Sequence, residues 1–310
     1  MLLSGKYIRM VLIILLLAAM TMIVSSPSSL AETHKLELDM GTFGDPIRQE
    51  GWISKEEYLD DSIHVVMQHK KRLSKSSADK TTVHWVTIEV SDASQLRTYF
   101  SDGSYESRVE ERSNVMAKRT NAVVALNADF AKYTYDFGYV VRQGVFYRDA
   151  LNMQKAPRDV LVIDNEGDFH IVPDAGSEDM QVFLRELANT GRTAINTFTF
   201  GPALIENGDV LKIEPGEHEA IRATARMCIC QLDHLKYAVV TVDGGDSVGM
   251  NLQELANFIA EVLPECKTAY NLDGGGSAHL LVNGKMVNKT RNSRTISEII
   301  YFASAAGKTE

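Results

Sequence analysis

Apolar residues recur along this chain with two different periods, and each change of period marks an element. From residue 82, Val83, Trp85, Thr87 and Glu89 fall on one side of an extended segment. His84, Val86, Ile88 and Val90 fall on the other, the two-residue period of a strand. Residues 107–121 carry Val109, Val115 and Met116 among charges, which predicts a helix. Residues 122–126 are apolar throughout and predict a strand that ends in Asn127-Ala128-Asp129-Phe130. Hairpins are predicted over 139–147, turning at Gln143-Gly144, and over 159–171, turning at Asn165-Glu166-Gly167. A helix over 178–190 follows, then a hairpin turning at Glu206-Asn207-Gly208-Asp209.

The last third has the sharpest pattern. Residues 226–242 read as two strands around Asp233-His234. Leu252, Leu255, Ala256, Ile259, Ala260 and Leu263 fall at helical spacing, and Pro264 ends that helix. Strands are predicted over 268–272, 279–282 and 296–302, with a tight turn at Asn283-Gly284. These elements predict an α+β fold: a single mixed, hairpin-rich β-sheet domain with packed helices and one C-terminal βαβ-like unit.

The N-terminus stands apart. Lys6 and Arg9 precede a nearly all-apolar run over 10–24, and Ser29-Leu30-Ala31 places small residues before Glu32. That is the layout of a signal peptide over 1–31. As a helix the run spans about 22 Å, short of the roughly 30 Å hydrocarbon core, so cleavage is favoured over anchoring. The expected location is secreted or extracytoplasmic, and an uncleaved signal would leave the chain anchored on that same side. Residues 32–80 are polar and mixed and read as an N-terminal extension or connector, leaving 81–310 as the functional domain.

Composition narrows the classes. With 45% hydrophobic and 24% charged residues the chain is globular, and a net charge of −9 argues against a nucleic-acid partner. Three cysteines are too few for a disulfide scaffold, and without a CxxC pair a cysteine zinc site is not expected. Cys228 and Cys230, two apart on a strand, point to one face and read as buried free thiols. Composition does not fix the oligomeric state.

The chemistry concentrates in a motif that occurs twice. Val242-Asp243-Gly244-Gly245-Asp246-Ser247 and Leu272-Asp273-Gly274-Gly275-Gly276-Ser277 share strand-Asp-Gly-Gly-x-Ser, 30 residues apart with one helix between. A βαβ unit has that length, and its parallel strands end on one edge, where ligands of such units sit. Gly274, Gly275 and Gly276 let the backbone approach a ligand closely, and successive N–H groups in such a turn can hold an anion. No Gly-Lys-Ser/Thr follows, so this is not a nucleotide P-loop.

Asn271-Leu272-Asp273-Gly274-Gly275-Gly276-Ser277, with Leu281-Val282-Asn283-Gly284-Lys285 and Arg294-Thr295-Ile296-Ser297, resembles the phosphodiester glycosidase family. Further matches are Asn127-Ala128-Asp129-Phe130, Gly201-Pro202-Ala203-Leu204-Ile205 with Gly208, Arg222-Ala223-Thr224-Ala225, Val242-Asp243-Gly244 and Ser247 through Glu254-Leu255-Ala256. The resemblance runs from about residue 83 to 303. The chain departs from the family where Ala128 and Asp129 stand in place of two glycines, and where Met227 stands near a missing glycine.

The resemblance implies an exported hydrolase that cleaves a sugar-1-phosphodiester in an envelope polymer or glycoconjugate. The alternative is a sugar-phosphate or polysaccharide-binding protein of exopolysaccharide or cell-wall assembly that does not cleave. Asp273 is the expected nucleophile or water-activating base, Asp243 its partner carboxylate, and Glu254 a further candidate acid. Paired carboxylates suit an oxocarbenium-like transition state. Arg222 and Arg294 are candidate phosphate clamps, because guanidinium donates in pairs. Asn127, Asn271, Gly274, Gly275, Gly276 and Ser277 are expected to bind substrate. No cofactor is expected, although Asp243, Asp246 and Asp273 could hold Ca²⁺ or Mg²⁺ through oxygen ligands.

Overall fold

A computed structural model describes residues 35–73, 80–130, 137–215 and 220–307. The expected signal peptide lies outside them. The described chain opens with β1 (Glu57–Leu59), β2 (Ile63–Leu73) and β3 (Lys80–Val90). Next come β4 (Leu96–Phe100), helix α1 (Ser113–Arg119) and β5 (Ala122–Asn127). Two hairpins follow: β6 (Tyr139–Arg142) with β7 (Val145–Asp149), and β8 (Val160–Asp164) with β9 (Phe169–Val172). Then come α2 (Ser177–Asn189), β10 (Ala194–Phe198) and the hairpin of β11 (Ala203–Glu206) and β12 (Asp209–Val210). The last third holds β13 (Arg226–Asp233), β14 (Lys236–Val242), α3 (Leu252–Val262) and β15 (Thr268–Leu272). It closes with β16 (Leu280–Val282), β17 (Lys285–Met286) and β18 (Glu298–Ala303).

Local chemistry explains the sharp boundaries. Gln143-Gly144 and Asn283-Gly284 both adopt positive φ, as a two-residue hairpin requires. At the start of α3 the Asn251 side chain accepts from Glu254 N–H, and the Glu254 carboxylate accepts from Asn251 N–H. This reciprocal cap satisfies two backbone donors that the first turn leaves open.

The fold is α+β, and the described strands form four sheets rather than one. The largest has the order β1-β2-β3-β14-β13-β15-β11-β12, and a five-stranded sheet has the order β17-β16-β5-β18-β4. Val86, Met227, Ile229, Val239 and Leu272 of the first pack against Val124, Leu126, Leu280, Ile300 and Phe302 of the second. The opposite face of the large sheet, with Val83, Trp85, Cys228 and Val240, is covered by Leu255, Phe258 and Ile259 of α3. Met116 and Ala117 of α1 cover the outer face of the five-stranded sheet. The core is thus a helix, two sheets and a helix in layers. Dividing the strands lets each of the two largest sheets pack both faces, which one open sheet of this many strands could not do.

Every pairing between described strands is antiparallel. The expected βαβ-like unit is present in a modified form. β14 and β15 each pair with β13, so they run parallel to each other with one strand between them and α3 as the crossover. The hairpin β13–β14 occupies the edge that direct pairing would need.

Two further expectations change. Residues 57–73 are not a connector: β2 pairs with β3 along its whole length, and Tyr58, Ile63 and Val65 lie in the main core. The outer half, with His69, Lys70 and Lys71, is exposed and so lacks an apolar signal. The helix predicted over 107–121 shrinks to α1. Glu111 instead exchanges two backbone hydrogen bonds with Ile296, which draws residues before α1 out of helical geometry. Cys228 and Cys230 are buried and free, as expected, and so is Cys266.

Candidate functional site

β15 carries Asp273 off its C-terminal end into the glycine loop. Packing explains two of the three glycines. A Cβ at Gly274 would stand 2.7 Å from the Ala225 carbonyl oxygen, and one at Gly276 would stand 2.5 Å from that of Asn292. Gly275 has φ +58 with open space around it. Three loop N–H groups are spent internally: Gly274 on the Asp273 carboxylate, Gly275 on Ala225 O at 2.9 Å, and Ser277 on Gly274 O at 3.1 Å. Gly274 and Gly275, expected to offer N–H groups to an anion, therefore already have acceptors within the fold.

Asp273 and Ser277 line a cleft of about 390 Å³ together with Asn127, Asp129, Phe130, Glu298, Glu110 and residues 294–297. Asn127 sits at the end of β5, where its Nδ2 donates to Asp273 O at 2.8 Å and its Oδ1 accepts from His279 N–H at 3.0 Å. It fixes the Asp273 loop to the neighbouring sheet. The Asp273 side chain is 21% exposed. Burial raises its pKa above the ordinary carboxylate value, against the Ser277 hydroxyl and the Arg294 charge, which lower it. Arg294 lies over it, Nη2 to Oδ2 4.0 Å, with 60% of its side chain in solvent.

The floor of the cleft holds a cluster that sequence reasoning missed. Arg142, at the end of β6, donates to both Glu298 oxygens at 2.7 and 2.8 Å and to Asp129 Oδ1 at 3.0 Å. All three side chains are fully buried. Burial pushes the Glu298 pKa up to about 7, although Arg142 pulls it down, and Asp129 beside it raises it further. Glu298 therefore takes up a proton as pH falls through about 7. Asp129 Oδ2 also accepts from Thr199 N–H at 2.9 Å. The signal was present: Asp129 replaces a family glycine, and Glu298 and Arg142 are lone charges in the apolar runs 298–303 and 139–142.

Other expected residues do not converge on the cleft. Asp243 is buried outside its lining; Oδ1 accepts from Lys289 N–H at 2.9 Å and lies 3.2 Å from His84 Nε2. The reason is strand phase. Val242 faces α3 while Leu272 faces the core between the sheets, so the two aspartates leave their strands on opposite sides. Glu254 is spent on the α3 cap. Asn271 donates to Gly201 O at 2.7 Å, inside the fold. Arg222 is exposed outside the cleft lining, and its carbonyl accepts from buried Arg226. His279 is buried, its Nε2 2.9 Å from Ser293 Oγ, and burial lowers its pKa. Among the described residues no group of three or more His, Cys, Asp or Glu side chains could hold a metal ion.

The site thus offers a half-buried carboxylate with elevated basicity, a buried Glu298 carboxyl whose pKa is raised, one solvent-facing guanidinium and an aromatic wall at Phe130. That set can take a proton from one side of a bond and steady a negative charge on the other.

Comparisons place this fold among known proteins. The catalytic domain of zebrafish N-acetylglucosamine-1-phosphodiester alpha-N-acetylglucosaminidase, auto-inhibited by its pro-peptide, aligns with 84% of this chain and 87% of its own. The TM-score is 0.61 at 18% identity, a likeness of fold. A protein from Burkholderia pseudomallei K96243, named only as a candidate exported protein, aligns with 74% of this chain and 75% of its own, TM-score 0.50 at 14% identity. An uncharacterized SPbeta prophage-derived protein, YomE of Bacillus subtilis (strain 168), is 27% identical over 178 residues, 56% of this chain. The match spans only 26% of that relative's length. The family model for phosphodiester glycosidases matches residues 120–303, which include Asp129, Asp273, Arg294 and Glu298. This chain belongs to the phosphodiester glycosidase family.

Proposed function

We propose that this protein hydrolyses a sugar-1-phosphodiester at the anomeric carbon. The observation that carries the reading is the meeting of Asp273, Arg294 and the Asp129–Glu298 pair in one cleft. Asp273 attacks the anomeric carbon or takes a proton from the attacking water. Its elevated pKa makes it a stronger base than an exposed aspartate. The glycosidic C–O bond breaks, and its electron pair leaves on the phosphate oxygen. A phosphomonoester is a good leaving group, so charge stabilisation matters more than full protonation. Arg294 is the guanidinium that would receive that charge, with Glu298, whose pKa is raised, as a further acid. Ser277 and Asn127 hold Asp273 in position.

An extracytoplasmic location and an envelope polymer or glycoconjugate as substrate belong to the same proposal. Support comes from the signal-like residues 1–31 and from the name of the Burkholderia neighbour. Among the described residues no helix is long and apolar enough to cross a membrane.

A panel of sugar-1-phosphodiesters offered to the purified protein tests the reading. Wild type should release free sugar, and Asp273→Asn should lose about 10²- to 10⁴-fold in kcat. Arg294→Ala should be impaired on phosphodiesters, whereas Arg222→Ala should stay close to wild type. Saturable binding of sugar 1-phosphate with no sugar released from any panel member would sink the hydrolase and favour the non-cleaving binding protein.

A further inference from the structure

We infer that the first Asp-Gly-Gly turn is a positioning device: Asp243 grips the strap of residues 288–295 so that Arg294 stands over Asp273. The inference rests on the proposed role of Arg294. Asp243 Oδ1 accepts from Lys289 N–H at 2.9 Å, and Gly244 N–H donates to Lys289 O at 2.7 Å. Both backbone polar groups of Lys289 are thus held by two consecutive residues of the turn. Arg291 reinforces the grip, donating from Nη2 to Gly245 O at 2.9 Å. Asp243 is itself fixed, because its N–H donates to Thr82 O of β3 at 2.9 Å.

From Lys289 the strap runs to the second turn. There Ser293 Oγ meets His279 Nε2 at 2.9 Å, and Arg294 N–H donates to Gly276 O at 3.2 Å. The two copies of the motif therefore hold one strap at two points, on strands that run parallel with β13 between them. Each residue of extended chain spans about 3.3–3.6 Å, so release of the first grip gives Arg294 more freedom than its 4.0 Å approach to Asp273 tolerates. The duplicated turn has divided its labour: the copy at 273 faces the cleft and the copy at 243 faces the back of the strap.

Three variants of the full chain separate positioning from chemistry. Asp243→Asn keeps an oxygen for Lys289 N–H, Asp243→Ala removes it, and Lys289→Pro removes the donor while Asp243 stays. Site-resolved hydrogen exchange reads the strap directly. Asp243→Ala and Lys289→Pro should each speed exchange at Arg294 by about tenfold or more, with the β13 amides unchanged and Asp243→Asn near wild type. On a cleaved phosphodiester, Asp243→Ala should raise KM as Arg294→Ala does, and adding it to Arg294→Ala should change nothing further. Asp243→Asn as inactive as Asp273→Asn, or unchanged exchange at Arg294 in both grip-breaking variants, would overturn the inference. Should no phosphodiester be cleaved, the hydrolase reading fails and the exchange experiment still decides this one.

Discussion

Arg142 carries two carboxylates where water does not reach. Removing a guanidinium from such a site leaves acids that must be neutralised or expelled. Arg142→Met should therefore cost about 3–5 kcal/mol, read by denaturant unfolding. A cost below about 1 kcal/mol would mean that the pair rearranges freely. The proton on Glu298 makes a second prediction. Its folded pKa of about 7 lies above the ordinary 4.5. The stability it contributes is full below the ordinary value and is lost as pH rises through about 7. His279 acts in the opposite sense, because its pKa falls below 6.5 on burial, so its contribution is lost as pH drops. The difference between wild type and Glu298→Gln isolates the first effect. Wild type should lose Tm relative to Glu298→Gln between pH 5 and 8; parallel Tm curves would refute the assignment. The charges themselves stood out in the sequence, but lone charges in apolar runs acquire meaning only when their partners are known.

The glycine loop and its strap behave as one element. Gly275→Ala meets no neighbour and bears only the left-handed conformation, about 1–2 kcal/mol. Gly276→Ala drives a methyl into the Asn292 carbonyl and must push the strap outward. It should therefore raise KM for the phosphodiester well beyond Gly275→Ala, as steady-state kinetics would show; equal KM values would uncouple loop from strap. Hairpins were legible in the sequence because Gln143-Gly144 and Asn283-Gly284 declare their turns. β2 was not, because its outer half is held by the backbone of β3 and not by its own apolar side chains. α1 was overextended because Val109 and Val115 sit exposed, outside the core that periodicity assumed.

For the molecule as a whole, residues 35–73 decide whether the layers close. Leu36 packs beyond the five-stranded sheet, and Tyr58, Ile63 and Val65 lie between the sheets. A chain begun at residue 80 should lose cooperative unfolding and solubility, because the β3 edge and the core beneath β2 would open to water. A soluble fragment with a native-like melting curve would restore the connector reading. The fold class, most element positions, the family and the Asp273 loop follow from the sequence itself, because period, turn residues and motif spacing are local properties. The division into four sheets, the phase that turns Asp243 away from the cleft, and the gathering of Arg142, Asp129 and Glu298 do not. They depend on which strands become neighbours, and a one-residue difference in strand phase moves a side chain to the other face of a sheet.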